Sequence, residues 1–378
     1  MVHSTSGTLI RPPPPKPNEA PIESVLALLP LVDFGPDIFT NTRPLWHPPG
    51  ARGIFGGAAI AQSLAAAQLT IPPPSPSNGN ATFLIHSMHC YFVLAGDASI
   101  PVIYHVERVR DGKSFITRTV QACQRGKCIF TTTLSFVREN SAGAQTVDHQ
   151  ASLPTEVLAA LECLQAEETE EWTASSGRAS QSPFIAKRMD LHTPSSGALH
   201  EKRTRQWYRA RGTISPSAGL EAHLSAMAYM SDSYFIGTVS RVHGLWRTAG
   251  PDATIATKSS KPLPAHQTNV DPQTLQLQKE LLEFAERERR ENPPEQTKRI
   301  GMMVSLDHTI YFHRPREVKA DDWLFAEMSS PWAGDGRGLV FQRIWNKNGV
   351  HVATCIQEGL ARLVQKGESV KELGGAKM

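Results

Sequence analysis

Cysteine is scarce in this chain of 378 residues, which contains only Cys90, Cys123, Cys128, Cys163 and Cys355. An odd, sparse set in a long chain is typical of a reducing compartment rather than of a secreted disulfide framework. Cys123 and Cys128 are spaced like half of a metal site, but no second pair of cysteines or histidines follows at ligand spacing. We therefore predict structural thiols and no metal.

Long apolar runs and an excess of one charge are also missing. No run approaches the roughly 18 apolar residues of a membrane span, and the best, 24–32, contains Pro30. The N-terminus shows no apolar region of a signal peptide. The 39 Lys and Arg against 36 Asp and Glu leave a net charge of +3, which gives no basis for nucleic-acid binding. We expect a soluble intracellular protein with no nucleic-acid partner and no membrane span.

Motifs that mark covalent or cofactor chemistry do not occur. The sequence has no G-x-S-x-G nucleophile elbow, no G-x-x-x-x-G-K-[ST] phosphate loop and no H-E-x-x-H zinc motif. It therefore predicts neither a covalent nucleophile nor a cofactor.

The first half of the chain contains one helix followed by strands. The segment RPPPPKPNEAP within residues 1–21 cannot form a helix or a central strand, and predicts a disordered leader. Residues 52–70 are rich in alanine with apolar side chains at helical spacing, which predicts a buried helix opened by Gly56 and Gly57. Four runs rich in β-branched or aromatic residues then predict antiparallel strands: 83–93, 101–109, 114–124 and 128–137.

The second half repeats this order. A helix is predicted over 217–229, and strands over 302–313, 323–329, 338–345 and 351–360. Motifs recur as well: His89-x-Tyr91-Phe92 and Asp111-Gly112 in the first half, and His308-x-x-Tyr311-Phe312 and Asp335-Gly336 in the second. Such a repeat predicts two copies of one helix-plus-sheet unit, whose sheet edges pair into one continuous sheet.

The fold class that follows is α+β with two repeats, at 22–138 and 205–365. Residues 139–204 are predicted as the connection between them. The second repeat carries an insertion at 239–300, and residues 366–378 are predicted as a flexible tail.

Three polar residues distinguish the second repeat from the first. Asp232 lies four residues after Ala228 on the apolar stripe of its helix. It is either a polar residue leaving the helix or a general base whose pKa an apolar setting raises. Gln357 stands where the first repeat has Leu134, and Ser305 begins a strand. A buried carboxamide needs a hydrogen-bond partner, so the three together indicate one active site in an asymmetric pair.

At these residues the sequence resembles the acyl-CoA thioesterase II family, the double hot-dog enzymes of bacteria and peroxisomes. The resemblance covers most of residues 50–138 and 205–362. It is carried by RGIFGGAAIAQSL, HSMHCYFVLAGD, VERVRDGKSFITRTVQACQRGKCIF, YMSDSYF, SLDHTIYFHRP, SPWAGDGRGLV and CIQEGLAR. It implies a double hot-dog fold and hydrolysis of fatty acyl-CoA to free acid and CoA without covalent catalysis.

The resemblance also implies which residues act. Asp232 in YMSDSYF would activate a water molecule, with Ser305 in SLDH and Gln357 in IQEG as the other catalytic residues. The candidate substrate-binding residues are Gly56, Gly57 and His308. The two glycines either admit the thioester to a helix N-terminus, where N–H groups stabilise an oxyanion, or only let the helix pack on the sheet.

Two other functions stay open at this point. One is a non-catalytic module that binds acyl-CoA, although a binder needs no general base. The other is a hot-dog dehydratase, which would pair a histidine such as His89 or His308 with an acid.

The end of the chain predicts a location. Ala376-Lys377-Met378 resembles the peroxisomal address whose standard form is S-K-L. We expect a peroxisomal protein, with the cytoplasm as the alternative, that is recognised by the peroxisomal import receptor through this tripeptide. Acyl-CoA is the expected substrate, and a homodimer or larger assembly is expected.

Overall fold

The computed structural model describes residues 19–48, 51–76, 79–161, 182–245 and 298–365. The predicted leader up to residue 18, most of the predicted insertion and the tail with Ala376-Lys377-Met378 lie outside the described residues.

In each half a 13-residue helix precedes a run of consecutive strands, which is the order that the repeat predicts. The α-helices described in full are α1 (Pro21–Leu26), α2 (Gly56–Gln68), α3 (Gly219–Ser231) and α4 (Gly237–Val242). Strands of the first half are β1 (Leu28–Pro30), β2 (Ile38–Asn41), β3 (Phe83–Phe92), β4 (Ile103–Asp111), β5 (Phe115–Gln124) and β6 (Lys127–Arg138). Those of the second half are β7 (Phe184–Arg188), β8 (Thr204–Ala210), β9 (Ile300–Ser305), β10 (Asp307–Phe312), β11 (Leu324–Gly334), β12 (Arg337–Asn346) and β13 (His351–Leu363).

One antiparallel sheet contains all of these strands. The order is β1-β2-β4-β5-β6-β3-β10-β13-β12-β11-β8-β7, with β9 added to β13. The halves meet where β3 pairs with β10, and at this junction His89 lies opposite Thr309. Their Nδ1 and Oγ1 atoms are 3.3 Å apart. Pairing at the junction removes two strand edges that would otherwise be open to other chains.

The strand order is equivalent on the two sides of the junction. Strands β3, β6 and β5 on one side correspond to β10, β13 and β12 on the other. In the first repeat Met88 pairs with Leu134. In the second, His308 lies beside Gln357, one residue from the Thr309–Ile356 pair. The same position of the sheet is therefore apolar in one repeat and polar in the other.

Helices α2 and α3 pack against each other and against the sheet. Small residues make the close approach possible, since Ala58, Ala61 and Ala226 are fully buried. A Cβ atom on Gly57 would lie 2.2 Å from the carbonyl oxygen of Tyr229 in α3, so only glycine fits there. The helix predicted over 52–70 is thus buried, and its small side chains allow it to approach α3 closely.

The strand predicted over 302–313 is interrupted. Ser305 pairs with Gly359, whereas Thr309 pairs with Ile356, so the register on β13 changes by one residue. The side chain of Asp307 lies at the break, where its Oδ1 accepts the N–H of Glu358 at 2.7 Å. The first repeat has an equivalent register change between Ile85 and Ser87 of β3. A bulge of this kind changes which face of the sheet the side chains of β9 lie on relative to those of β10.

Two predicted non-repeat segments contribute to the second half. Within 139–204, β7 pairs with β8 at the sheet edge. Val157 and Leu161 pack with Trp207, Phe325 and Trp345 in a second, smaller core. The predicted insertion at 239–300 overlaps α4, whose Val239 packs where Gly338 leaves space. In the described residues, no helix is long and apolar enough to cross a membrane.

Candidate active site

Asp232 is the C-cap of α3 and points at the first turn of α2. Its side chain is 9% exposed. Oδ1 accepts a hydrogen bond from Nε2 of Gln357 at 2.9 Å, and the carboxylate also accepts the backbone N–H of Gly57. The antiparallel packing of α2 and α3 therefore brings together residues that are 175 positions apart in the sequence.

Gly56 leaves the space that this carboxylate occupies. A Cβ atom on Gly56 would lie 2.7 Å from Oδ2 of Asp232 and 2.8 Å from Cε1 of Phe92. The two glycines thus have different neighbours, since a Cβ on Gly57 would meet the backbone of α3. Gly56 borders the candidate site, and Gly57 lets α2 pack on α3, where the sequence alternative was packing on the sheet. The substrate-binding role of the two glycines stays a prediction.

Burial raises the pKa of Asp232 from 3.8 to about 6. The hydrogen bonds from Gln357 and Gly57 oppose this change, because they stabilise the charged form. The resulting carboxylate is ionised at neutral pH and still basic enough to accept a proton, which suits a general base.

Gln357 lies at the centre of β13 and is fully buried. Its Nε2 atom contacts both Asp232 Oδ1 and, at 3.2 Å, Nδ1 of His308. Its Oε1 atom is buried and has no donor among the described residues. Most buried amide oxygens have a donor, so this atom is an acceptor next to Asp232 without a protein partner in the described part of the chain.

Ser305 ends β9 just before the bulge. It pairs with Gly359, which lies two residues from Gln357 on β13. Directly opposed residues of antiparallel strands share a face, and so do residues two apart on one strand. Ser305 therefore lies on the same face as Gln357, although its hydroxyl makes no hydrogen bond with Asp232 or Gln357 within the described ranges.

His308 is fully buried behind Gln357. Its Nε2 atom lies 3.0 Å from Oγ of Ser231, and Phe235 packs against the ring at a centroid distance of 5.3 Å. Burial lowers the pKa of His308 to about 3, so the ring is neutral at physiological pH. This candidate substrate-binding residue lies beside Gln357 on the neighbouring strand, and its Nδ1 atom is 3.9 Å from Oδ1 of Asp232.

The first repeat has no equivalent polar group. Leu134 and Met88 are the counterparts of Gln357 and His308, and both are fully buried. The C-cap of α2 is Leu69, which is 62% exposed, where α3 ends in Asp232. The asymmetry that the sequence indicated is present in the described residues of both repeats.

Sequence reasoning missed the aromatic residues around the carboxylate. Phe55, the N-cap of α2, packs between Trp46 and Tyr229 at centroid distances of 5.5 and 5.0 Å. Phe92 ends β3 beside Gly56. Aromatic residues at the end of a helix or strand give no signal of their own, because they are equally typical of an ordinary core.

Family models match most of the chain. The acyl-CoA thioesterase N-terminal domain matches residues 43–137, and the acyl-CoA thioesterase C-terminal domain matches residues 160–361. The two matches lie on the two halves of the sheet.

Individual relatives span nearly the whole sequence. Acyl-coenzyme A thioesterase 8 of Rattus norvegicus is 32% identical over 353 residues, which cover 90% of this chain and 88% of the relative. Peroxisomal acyl-coenzyme A thioester hydrolase 1 of Saccharomyces cerevisiae is 24% identical over 391 residues, covering 89% and 93%. The crystal structure of the acyl-CoA thioesterase II TesB2 from Mycobacterium marinum has 26% identity and a TM-score of 0.57, and covers 92% of this chain and 99% of that one. The predicted double hot-dog fold is confirmed by this likeness and by the continuous two-repeat sheet.

Proposed function

The chain belongs to the acyl-CoA thioesterase family, and on this premise we propose that it hydrolyses fatty acyl-CoA through a water molecule activated by Asp232, with Ser305 and Gln357 holding that water. Membership makes it a thioester hydrolase. The products are a free fatty acid and CoA.

The chemistry requires a base rather than a covalent nucleophile. A thioester carbonyl is electrophilic and its thiolate is a good leaving group, so an activated water suffices. Asp232 accepts a proton from the water as its oxygen attacks the carbonyl carbon, and the C–S bond then breaks to release the CoA thiolate. General-base assistance of this kind contributes about 10²–10⁴ in rate.

One observation carries the proposal: the hydrogen bond from Gln357 Nε2 to Asp232 Oδ1, which leaves Gln357 Oε1 without a donor among the described residues. A water that donates one hydrogen to Asp232 and the other to Oε1 satisfies both acceptors. Its lone pair then faces away from both and towards the substrate. Ser305, on the same face of the sheet, supports the water from a third side.

The first turn of α2 is the proposed position of the thioester carbonyl. Its backbone N–H groups and the positive end of the helix dipole favour the negative charge that develops on the carbonyl oxygen. Gly56 keeps this turn free of side-chain bulk next to Asp232. Gly56 thus borders the proposed substrate site, whereas the backbone N–H of Gly57 donates to Asp232 and holds the base in place.

The experiment is thiol release from a panel of acyl-CoA esters, from short to long chains, by the wild type and by Asp232→Asn. We expect release by the wild type and a loss of about 10²–10⁴ in kcat in the variant. Asp37→Asn is the control, since Asp37 pairs with Arg108 at the surface of the first repeat. Full activity of Asp232→Asn would rule out the general-base role, whereas acyl-CoA binding without thiol release would favour the binding module.

The burial of His308 argues against the dehydratase alternative, although its Nδ1 atom lies 3.9 Å from Oδ1 of Asp232. A dehydratase histidine must exchange protons with its substrate, whereas His308 is fully buried and neutral. Product analysis distinguishes the two reactions, because dehydration releases no thiol.

We further propose a peroxisomal location, which the name of the yeast relative supports. Ala376-Lys377-Met378 is the proposed address and import-receptor ligand. A fluorescent protein fused to the N-terminus should co-localise with peroxisomes, and Lys377→Glu should disperse it into the cytoplasm. A homodimer or larger assembly stays a prediction, which sedimentation of the purified protein would test.

A further inference from the structure

His308 is surrounded by hydrogen-bonding groups on two sides of its ring. Nδ1 faces Nε2 of Gln357 at 3.2 Å, and Nε2 of the ring faces Oγ of Ser231 at 3.0 Å. Oγ of Ser231 in turn lies 2.9 Å from the carbonyl oxygen of Ala228, one turn earlier in α3. A chain of contacts therefore runs from the backbone of α3 through the histidine to the glutamine that touches Asp232.

One assignment satisfies every hydrogen bond in this chain. In it the Ser231 hydroxyl donates to the carbonyl of Ala228, which only accepts, and accepts from the ring. The His308 ring therefore carries its proton on Nε2 and accepts at Nδ1. Gln357 Nε2 has two N–H groups, and it donates one to His308 and the other to Asp232.

The opposite orientation of the Gln357 amide is unfavourable at both contacts. It would place Oε1 against the carboxylate of Asp232 and against the unprotonated Nδ1 of His308, which are both acceptors. Two acceptor–acceptor contacts in a buried site leave all of these groups without donors.

We propose that His308 is a positioning residue, which holds the Gln357 amide so that Nε2 faces Asp232 and Oε1 faces the reacting water. The inference rests on the proposed function, because it assigns the water to Gln357 Oε1. His308 itself contacts neither the water nor the substrate.

Comparison of the two repeats supports this role. Met88 and Leu134 fill the equivalent pair of positions and are fully buried, so the sheet packs at this point without polar groups. A buried histidine–glutamine pair is costly unless each polar atom is satisfied. Because packing does not require the polar pair, its position next to Asp232 accounts for it.

The ring is also fixed from the sides. Phe235 packs edge-on against it, and β10 lies between β3 and β13 in the middle of the sheet. His308 stays neutral at physiological pH. It therefore acts as a fixed acceptor rather than as a proton carrier.

A double-mutant cycle on the full-length enzyme tests the inference. The variants are His308→Met, Gln357→Leu and the combination, which copies the Met88–Leu134 pair that the first repeat already packs. We expect His308→Met to lower kcat about tenfold with KM within about twofold, since one hydrogen bond that orients the amide is lost. Gln357→Leu should lower kcat about 10²-fold, and adding His308→Met should then change it less than about twofold.

Further readouts separate positioning from folding. His308→Asn places an acceptor near the former Nδ1 atom and should recover kcat to within about threefold of wild type. Met88→Leu, a buried change in the first repeat, should leave kcat within about twofold. The pH midpoint of kcat/KM should be the same in His308→Met as in the wild type, because the ring is neutral.

Each outcome decides between the two proposals. The positioning role would be overturned if His308→Met lowered kcat equally in the wild type and in Gln357→Leu, or lowered it in neither. The proposed function would then remain intact. Unchanged turnover in Gln357→Leu would overturn the role of Gln357 and the inference with it. Absence of thiol release by the wild type would overturn the proposed function itself.

Discussion

A Cβ atom placed on Gly56 would lie 2.7 Å from Oδ2 of Asp232, well inside van der Waals contact. The missing side chain allows the carboxylate at the end of α3 to reach the first turn of α2. Gly57 is the next residue, but the obstacle there would be the carbonyl of Tyr229. Adjacent glycines thus serve the site and the helix packing separately.

This difference predicts opposite effects of two alanine substitutions. Gly56→Ala should lower kcat about 10²-fold, since a displaced general base loses its alignment. Its effect on stability should be small, because Asp232 and Phe92 are side chains that can move and alanine favours the helix by about 0.5–1 kcal/mol. Gly57→Ala should destabilise the fold by about 1–3 kcal/mol or more, because a backbone carbonyl cannot move aside.

Thermal unfolding and kcat of the two variants check this prediction, and each variant is the control for the other. Equal losses of stability with equal losses of activity would contradict the separate roles.

The pKa of Asp232 predicts the acid limb of the pH profile. The base must be ionised, so kcat/KM should rise tenfold per pH unit below about 6 and level off above it. Four neighbouring groups do not titrate in this range: His308 is neutral above about 3, burial raises the pKa of Cys90 to about 12, and the pKa values of Tyr229 and Cys355 are also raised. Burial also raises the pKa of the Asp307 carboxyl above its ordinary 3.8.

Initial rates between pH 4.5 and 9 at constant ionic strength give the midpoint. A rate that stays level down to pH 4.5, as the ordinary pKa of 3.8 would give, would show that Asp232 is not buried during turnover. A limb near 6 that persists in the residual activity of Asp232→Asn would assign the titration to another group.

Much of this site was predictable because its polar residues interrupt apolar patterns. Asp232 follows Leu224 and Ala228 on the helix stripe, and Gln357 replaces the Leu134 of the first repeat. Both signals depend only on spacing along the chain. The strands and the repeat followed from the same periodicity, and the structure keeps them with changes at their ends, except that the strand predicted over 302–313 is divided into β9 and β10.

The bulge at Leu306 and Asp307 was not predictable. Residues 302–313 read as one continuous strand, and at the break the Asp307 side chain accepts the N–H of Glu358, 51 residues later. Without the register change, Ser305 and His308 would lie on opposite faces of the sheet, since their separation is odd. Long-range contacts of this kind leave no periodic signal.

Gln357→Glu should move the acid limb to higher pH. It places a second carboxyl group at the position from which Nε2 now contacts Asp232 at 2.9 Å. Two carboxylates at this distance cannot both ionise easily, so the pair holds a proton to higher pH. We expect the midpoint to rise by at least about one pH unit, with a lower plateau.

The matched control is Gln121→Glu, which adds the same charge at an exposed position of β5. Its midpoint should equal that of the wild type. An unchanged midpoint in Gln357→Glu would show that residue 357 does not contact the titrating base.

The same raised pKa predicts that the ionised Asp232 destabilises the folded protein at neutral pH. Its folded pKa of about 6 exceeds the ordinary 3.8, so the folded state binds the proton more tightly than the unfolded state. Proton binding to Asp232 therefore stabilises the folded state fully below pH 3.8, and this stabilisation is lost as the pH rises through 6. Across this window the wild type should lose on the order of 3 kcal/mol of unfolding free energy from this group.

Asp232→Asn removes this ionisation and keeps an oxygen for the N–H of Gly57. The free energy of unfolding of the variant, relative to wild type, should therefore increase between pH 4 and pH 7.5, in the same range in which its catalytic deficit grows. Urea unfolding of both proteins at the two pH values measures the difference. A constant offset between them would mean that the carboxylate is equally solvated in the folded and unfolded states, and burial would then no longer explain how Asp232 becomes a base.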